Sequence, residues 1–253
     1  MSGQFIWYEL MSTDVERSAS FFAGLLECDI LTTDDTPPAI LLAPKGSEAP
    51  LFGLVPVVAA EGIRSHWIGY LMVDDVDQAV AMTEQAGGTL HAESGEQETR
   101  SEEEPRFAIV TDPQGAVINL VARADGAAAN ADPGVGRHAW TELMTTDREA
   151  AAEFYQNLTG WQVGPEHARG DEGMAHGLFS DGHIFGLLRD LPRGSPVPPN
   201  WAFFLRVENL DEVIARARVL GGFMYEESAQ VDGGRRVLML DPTGAPVALW
   251  ASQ

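Results

Sequence analysis

The feature that most constrains this chain is an internal repeat. WYELMSTDVERSASFFAGLL from Trp7 aligns with WTELMTTDREAAAEFYQNLT from Trp140, sharing Trp, Glu-Leu-Met, Thr-Asp and a Phe. VDDVDQAVAMTEQAGG from Val73 aligns with VENLDEVIARARVLGG from Val207, and TDPQGAVINL from Thr111 with LDPTGAPVALW from Leu240. The parts come in the same order in both halves, so the 253 residues are two copies of one design rather than one large domain. Between them, Ala122 to Arg137 is rich in Ala, Gly, Asp and Pro and has no hydrophobic period, which reads as a linker.

Within each copy the pattern is strand, helix, then several strands. FIWYELM carries aromatic and apolar strand formers, and VERSASFFAGLL has apolar residues at helical spacing. Asp14, Asp75 and Asp147 each precede a helical run and read as N-caps, which assigns them a structural role. Gly87-Gly88 and Gly221-Gly222 end helices, and Asp-Pro-x-Gly at Asp112 and Asp241 makes tight turns. No phosphate-binding Gly-rich loop, dinucleotide fingerprint, G-x-S-x-G elbow or H-E-x-x-H is present, which removes several large enzyme classes.

Composition narrows the partners. The formal charge of −22 repels a phosphate backbone and an anionic membrane surface, so neither nucleic acid nor membrane is expected. No apolar run approaches the ~20 residues that span a bilayer. MSGQFIWYEL does not look like a secretory signal, which points to a cytoplasmic protein. Cys28 is the single cysteine, so an intramolecular disulfide and a multi-thiolate zinc site are both ruled out; it reads as a small buried hydrophobe.

The order strand-Asp-helix with Phe-Phe or Phe-Tyr, strands, strand-Val-Asp-Asp-helix-Gly-Gly, then Asp-Pro-x-Gly-strand resembles the vicinal oxygen chelate superfamily of glyoxalases, bleomycin-resistance proteins and extradiol dioxygenases. The resemblance implies an α+β fold of four βαβββ modules paired into two tandem domains, each a curved mixed sheet forming a cup. The expected modules are 1–60 with 64–124, a linker at 125–136, and 137–192 with 199–253.

In metal-dependent members of that superfamily the ligands lie on the first and last strands of the modules. The corresponding positions here are Trp7, Ile68, Trp140 and Ala202 on first strands, Asn119 and Ala248 on last strands, and the neighbourhoods of Gly53 and Gly186. These side chains are not the imidazole and carboxylate set such a metal needs, so no metal and no cofactor is expected, with a divalent metal as the alternative. His138 shares a strand face with Glu142, but four residues of strand separate them by roughly 13 Å, too far to share an ion. His66, His138 and His183 read as rim residues, and His91, His167 and His176 as loop or strand-surface residues.

Strand alternation then nominates the residues lining each cup: Trp7, Glu9 and Met11 on the first strand, with Tyr8, Leu10 and Ser12 opposite, and Trp140, Glu142 and Met144 in the second copy. Ile68, Tyr70, Met72 and Asn119 join the first set; Ala202, Phe204, Arg206 and Trp250 join the second. Glu9 is the candidate general base, with Tyr70 as its catalytic companion, because a carboxylate on an apolar wall loses solvation. Its structural reading is a hydrogen-bond acceptor at the seam between modules. Glu142 is expected to meet Arg206, which would spoil it as a base. Trp67, Trp201, Phe21, Phe22, Phe154 and Tyr155 are expected to pack helix against sheet, and the acid-rich stretch from His91 to Arg106 to be a solvated loop.

Four functions follow from this reading. The leading one is a metal-free protein that binds a small aromatic or amphipathic molecule. The next is a metal-independent isomerase, cyclase or lyase using Glu9 as acid/base. A metal-dependent glyoxalase or dioxygenase and an acidic module that engages a basic protein come after. The expected partner is the small-molecule ligand; the sequence leaves the oligomeric state open, a homodimer among the options.

Overall fold

The computed structural model describes residues 3–34, 38–57, 64–93, 106–122, 136–168, 173–191, 197–224, 229–231 and 234–252. Most of the 125–136 linker and of the 91–106 acid-rich stretch lie outside these residues, as does the side chain of His167.

The first half contains β1 (Gln4–Ser12), α1 (Val15–Leu26), β2 (Cys28–Thr32), β3 (Ile40–Pro44), β4 (Phe52–Pro56), β5 (His66–Val73), α2 (Val76–Gln85), β6 (Thr89–Glu93), β7 (Phe107–Thr111) and β8 (Val117–Ala122). The second repeats the order with β9 (His138–Thr145), α3 (Arg148–Thr159), β10 (Gln162–Ala168), β11 (Met174–Ser180), β12 (His183–Asp190), β13 (Asn200–Arg206), α4 (Leu210–Val219), β14 (Phe223–Met224), β15 (Ala229–Val231), β16 (Gly234–Leu240) and β17 (Pro246–Ser252). The fold is α+β with two mixed sheets, ordered β2-β3-β4-β1-β5-β8-β7-β6 and β10-β11-β12-β9-β13-β17-β16-β14, with β15 on β16. No helix among the described residues is long and apolar enough to cross a membrane.

The local devices are those the sequence announces. Asp14, Asp75 and Asp147 accept hydrogen bonds from the amides of Arg17, Gln78 and Ala150 at 3.1, 2.9 and 3.0 Å. Asn209 does the same for α4, each side chain meeting an N–H that the first helical turn leaves unpaired. Gly87 and Gly221 follow α2 and α4 with φ of +96° and +87°, the left-handed backbone that a side chain disfavours.

By packing, the chain forms two compact units that each take one module from each half. One comprises residues 1–7, 69–131 and 141–202; the other comprises 8–68, 132–140 and 203–253. Helix α2 therefore packs on α3 in the first unit, and α1 on α4 in the second.

In the first unit the core gathers Phe154, Tyr155, Trp161 and Trp201, all buried. Tyr155 stacks on Trp161 at 5.6 Å and meets Trp201 edge-on at 5.2 Å. In the second, Phe22 packs edge-on against Phe52 and Trp67 at 5.4 and 5.7 Å. The aromatics expected to pack helix against sheet do so, and Cys28 is buried.

Both Asp-Pro-x-Gly turns reach beyond their own loops. Asp112 Oδ1 accepts the amides of Gln114 and Ala116, each at 2.9 Å, while Oδ2 accepts the Tyr155 hydroxyl at 3.0 Å; Trp201 Nε1 donates to that hydroxyl at 2.9 Å. Asp241 repeats the scheme with the amides of Thr243 and Ala245, and its Oδ2 accepts the Ser18 hydroxyl at 2.6 Å. In each unit a last-strand turn of one half is thus bonded to a first helix of the other.

Candidate functional site

On β1 the expected alternation holds. Tyr8, Leu10 and Ser12 are buried, whereas Trp7, Glu9 and Met11 are half-buried. Glu9 lies in register with Gly53 on β4, and Met11 with Val55. Paired residues share a face, so the position directly opposite Glu9 carries no side chain.

The corresponding face of β9 and β12 is filled. Glu142 is in register with Leu187, and Met144 with Arg189. Arg189 Nε lies 2.9 Å from Glu142 Oε2, both side chains being almost fully buried, and Arg189 Nη2 also reaches the Met144 sulfur at 3.3 Å. Arg189 is the cation that Glu142 meets within its unit; Arg206, the expected partner, belongs to the other unit. On the opposite face Gly186 pairs with Thr141 and is closed to anything larger than glycine, because a Cβ there would come within 2.5 Å of the Thr141 carbonyl oxygen.

On β5, β8 and β7, Tyr70 is in register with Asn119 and Asn119 with Ile109, while Met72 pairs with Val121 and Val121 with Phe107. The residues in these pairs are apolar apart from Tyr70 and Asn119. Asn119 is buried, and its Oδ1 meets no donor among the described residues. Tyr70 and Glu9 belong to different units.

The face of β13, β17 and β16 is different in kind. Phe204 pairs with Ala248 and Arg206 with Trp250; Ala248 pairs in turn with Leu238 and Trp250 with Arg236. Arg206 and Trp250 are half-buried, and Arg236 is 1% exposed. The Arg236 guanidinium lies 5.8 Å from the centroid of the Phe204 ring. It reaches there across Ala248, whose methyl group is too short to block the diagonal, and a cation over an aromatic face recovers part of its lost hydration. Arg189 and Arg236 were not singled out from the sequence. Their signal is the repeat itself: at the places of Arg189, Arg206 and Arg236 the first half has Val55, Met72 and Phe107.

His138 is half-buried and packed against other rings. Its ring stacks on Tyr8 at 4.4 Å, lies 5.7 Å from Phe203, and its Nδ1 is 2.9 Å from the Tyr8 hydroxyl. Loss of hydration between these rings lowers the His138 pKa to about 3, so the ring is neutral near pH 7, and burial pushes the Tyr8 phenol up. Among the described residues no three His, Cys, Asp or Glu side chains converge as a metal site would require.

The family model for the glyoxalase-like domain matches twice, over residues 8–121 and 140–250. The chain belongs to the glyoxalase-like domain family. Its two copies account for the repeat.

Among curated relatives, CFP32 of Mycobacterium tuberculosis, which carries a glyoxylase name, is 32% identical over 114 residues, 44% of each chain. In that match the chain spans less than half the length of the relative. The anthracycline biosynthesis protein DnrV of Streptomyces peucetius is 29% identical over 257 residues, covering 94% of this chain and 90% of that one.

Among solved structures, the halotolerant catechol dioxygenase BphC superposes with a TM-score of 0.65 at 12% identity, over 100% of this chain and 87% of that one. The Mn(II)-bound glyoxalase from Novosphingobium aromaticivorans gives 0.63 at 14%, over 99% and 82%. At such identities the likeness is one of fold.

Proposed function

We propose that this glyoxalase-like protein binds a small aromatic or amphipathic molecule on its sheet faces without the divalent metal of its metal-dependent relatives. The observation that carries this reading is the face of β13, β17 and β16, where Phe204 and Trp250 are set beside two guanidinium groups in register. Flat aromatic side chains with a few placed polar groups are what small-molecule sites are built from. The metal-free part rests on donor chemistry. Indole, amide and alkyl side chains occupy the places where imidazole and carboxylate would be needed, and they do not fit a divalent ion. The relatives named for anthracycline biosynthesis direct the choice of ligand.

The test is a titration with an anthracycline, followed by tryptophan fluorescence, with and without EDTA and with Mn(II) added back. Saturable quenching indifferent to EDTA is expected. No binding, or binding that requires Mn(II), overturns the reading.

One observation favours a second reading, a metal-independent isomerase, cyclase or lyase. Glu9 is a half-buried carboxylate in register with Gly53, a position that sets no side chain beside it. As a general base Glu9 would take a proton from carbon or oxygen of the substrate. Turnover lost in Glu9→Gln with ligand binding retained supports this chemistry; unchanged turnover removes it.

A further inference from the structure

We propose that β2 is an open pairing edge and that its partner is the β2 of a second copy of this chain, running antiparallel about a twofold axis at Ile30.

The two sheets end at β2 and β6 in one and at β10 and β14 in the other. An edge strand offers N–H and C=O groups to any other strand, and proteins blunt such edges with bulges, proline or shortness. β6 breaks register between Leu90 and Ala92. β10 breaks it between Val163 and Glu166 and carries Pro165 in the gap. β14 is two residues long. β2 has none of these devices: it keeps an unbroken register with β3 over its five residues, Cys28–Thr32. Ile30, at its centre, is 46% exposed. The acids beside it are held by their own chain. Asp29 Oδ2 accepts the Gly46 amide at 2.8 Å, and Glu27 pairs with Arg216 at 3.0 Å.

The phase of the hydrogen bonds fixes which residues face outward. Thr33 N donates to Ala39 O at 3.1 Å, continuing the β2–β3 ladder. By alternation Asp29 and Leu31 bond to β3, while Cys28, Ile30 and Thr32 turn their backbone groups to the other side. Among the described residues no strand lies on that side. A twofold at Ile30 sets Ile30 against Ile30 and Cys28 against Thr32, so the outward residues of both strands meet one another. It covers each exposed isoleucine with its counterpart, a favourable cross-strand pair. It also sets Asp29 against Leu31. A twofold at Asp29 would instead oppose two carboxylates, and one at Leu31 would leave Cys28 opposite a residue beyond the strand.

A strand pair of this length buries less than the roughly 1,200 Å² of a stable interface, so the dimer is weak. Two chains of charge −22 also repel each other, and salt that screens the repulsion favours their association.

The experiment is sedimentation velocity on the full chain, from about 1 to 500 μM in about 0.5 M NaCl. Ile30→Lys is run beside it, with Ile184→Lys as a control because Ile184 is also 46% exposed; circular dichroism confirms folding. A monomer–dimer equilibrium is expected, weakened about tenfold or more by Ile30→Lys, since a lysine on an edge strand opposes pairing, and unchanged by Ile184→Lys. Oxidation of Ile30→Cys is expected to trap a covalent dimer, because facing residues of a hydrogen-bonded pair lie about 5.5 Å apart at Cα, within disulfide reach. If Ile30→Lys fails to fold, Ile30→Cys decides the matter. A chain that stays monomeric at the highest concentration, or a dimer that Ile30→Lys leaves intact, overturns the proposal.

Discussion

The Tyr155 hydroxyl donates to Asp112 Oδ2 at 3.0 Å, joining a helix of the second half to a turn of the first. Both residues are buried, Tyr155 to 1% exposure and Asp112 to 2%. Tyr155→Phe leaves the ring packing intact and removes the donor. Leaving a buried carboxylate short of a partner costs about 1–3 kcal/mol, and urea unfolding should show that loss. Ser18→Ala, which strips the same donor from Asp241 in the other unit, should behave alike.

Burial raises the Asp112 pKa, its hydrogen bonds from Ala116, Tyr155 and Gln114 only partly opposing the shift. A folded value above the unfolded one means that this group's contribution is fully present below the ordinary Asp range and is lost as pH rises through the folded value. The stability difference between the wild type and Asp112→Asn should therefore shrink as pH is raised across that window. A difference that grows instead would show that the hydrogen bonds outweigh burial.

His138 has the opposite sign. Its pKa, lowered by burial to about 3, lies below the unfolded value, so its contribution is present above the ordinary His range and is lost as pH falls toward about 3. Amide-detected titration should find the ring neutral at pH 5, and His138→Phe should unfold less readily in acid than the wild type. Protonation of His138 near pH 6.5 would contradict the stacked, dehydrated ring.

Glu142 and Arg189 form an ion pair that is almost fully buried. Removing one partner exposes the other to an apolar interior, at a cost of about 3–5 kcal/mol, while replacing both with apolar residues of similar size costs much less. Glu142→Leu and Arg189→Met should each lower the denaturation midpoint more than the double variant does. Additive losses across that double-mutant cycle would show that the pair is not coupled.

The duplication, the four modules, the Asp caps, the Gly-ended helices and the family resemblance were all legible in the sequence. Each depends on contacts between residues close along the chain or on a period of two or 3.6. The half-exposed row Trp7, Glu9 and Met11 was legible for the same reason. Spacing did not reveal Arg189 as a cation beside Glu142, because the parallel register of β12 on β9 brings it there. Nor did it show His138 stacked on Tyr8, since the two lie 130 residues apart.

Tertiary structure also decided how the halves combine. The repeat divides the chain into 1–124 and 137–253, but compact packing pairs α1 with α4 and α2 with α3, each pair drawn from both copies. Duplicated helices carry nearly identical apolar faces, so their sequence cannot say whether each should pack on its own copy or on the other. That choice depends on long-range burial, and here Asp112 with Tyr155 and Asp241 with Ser18 hold it in place.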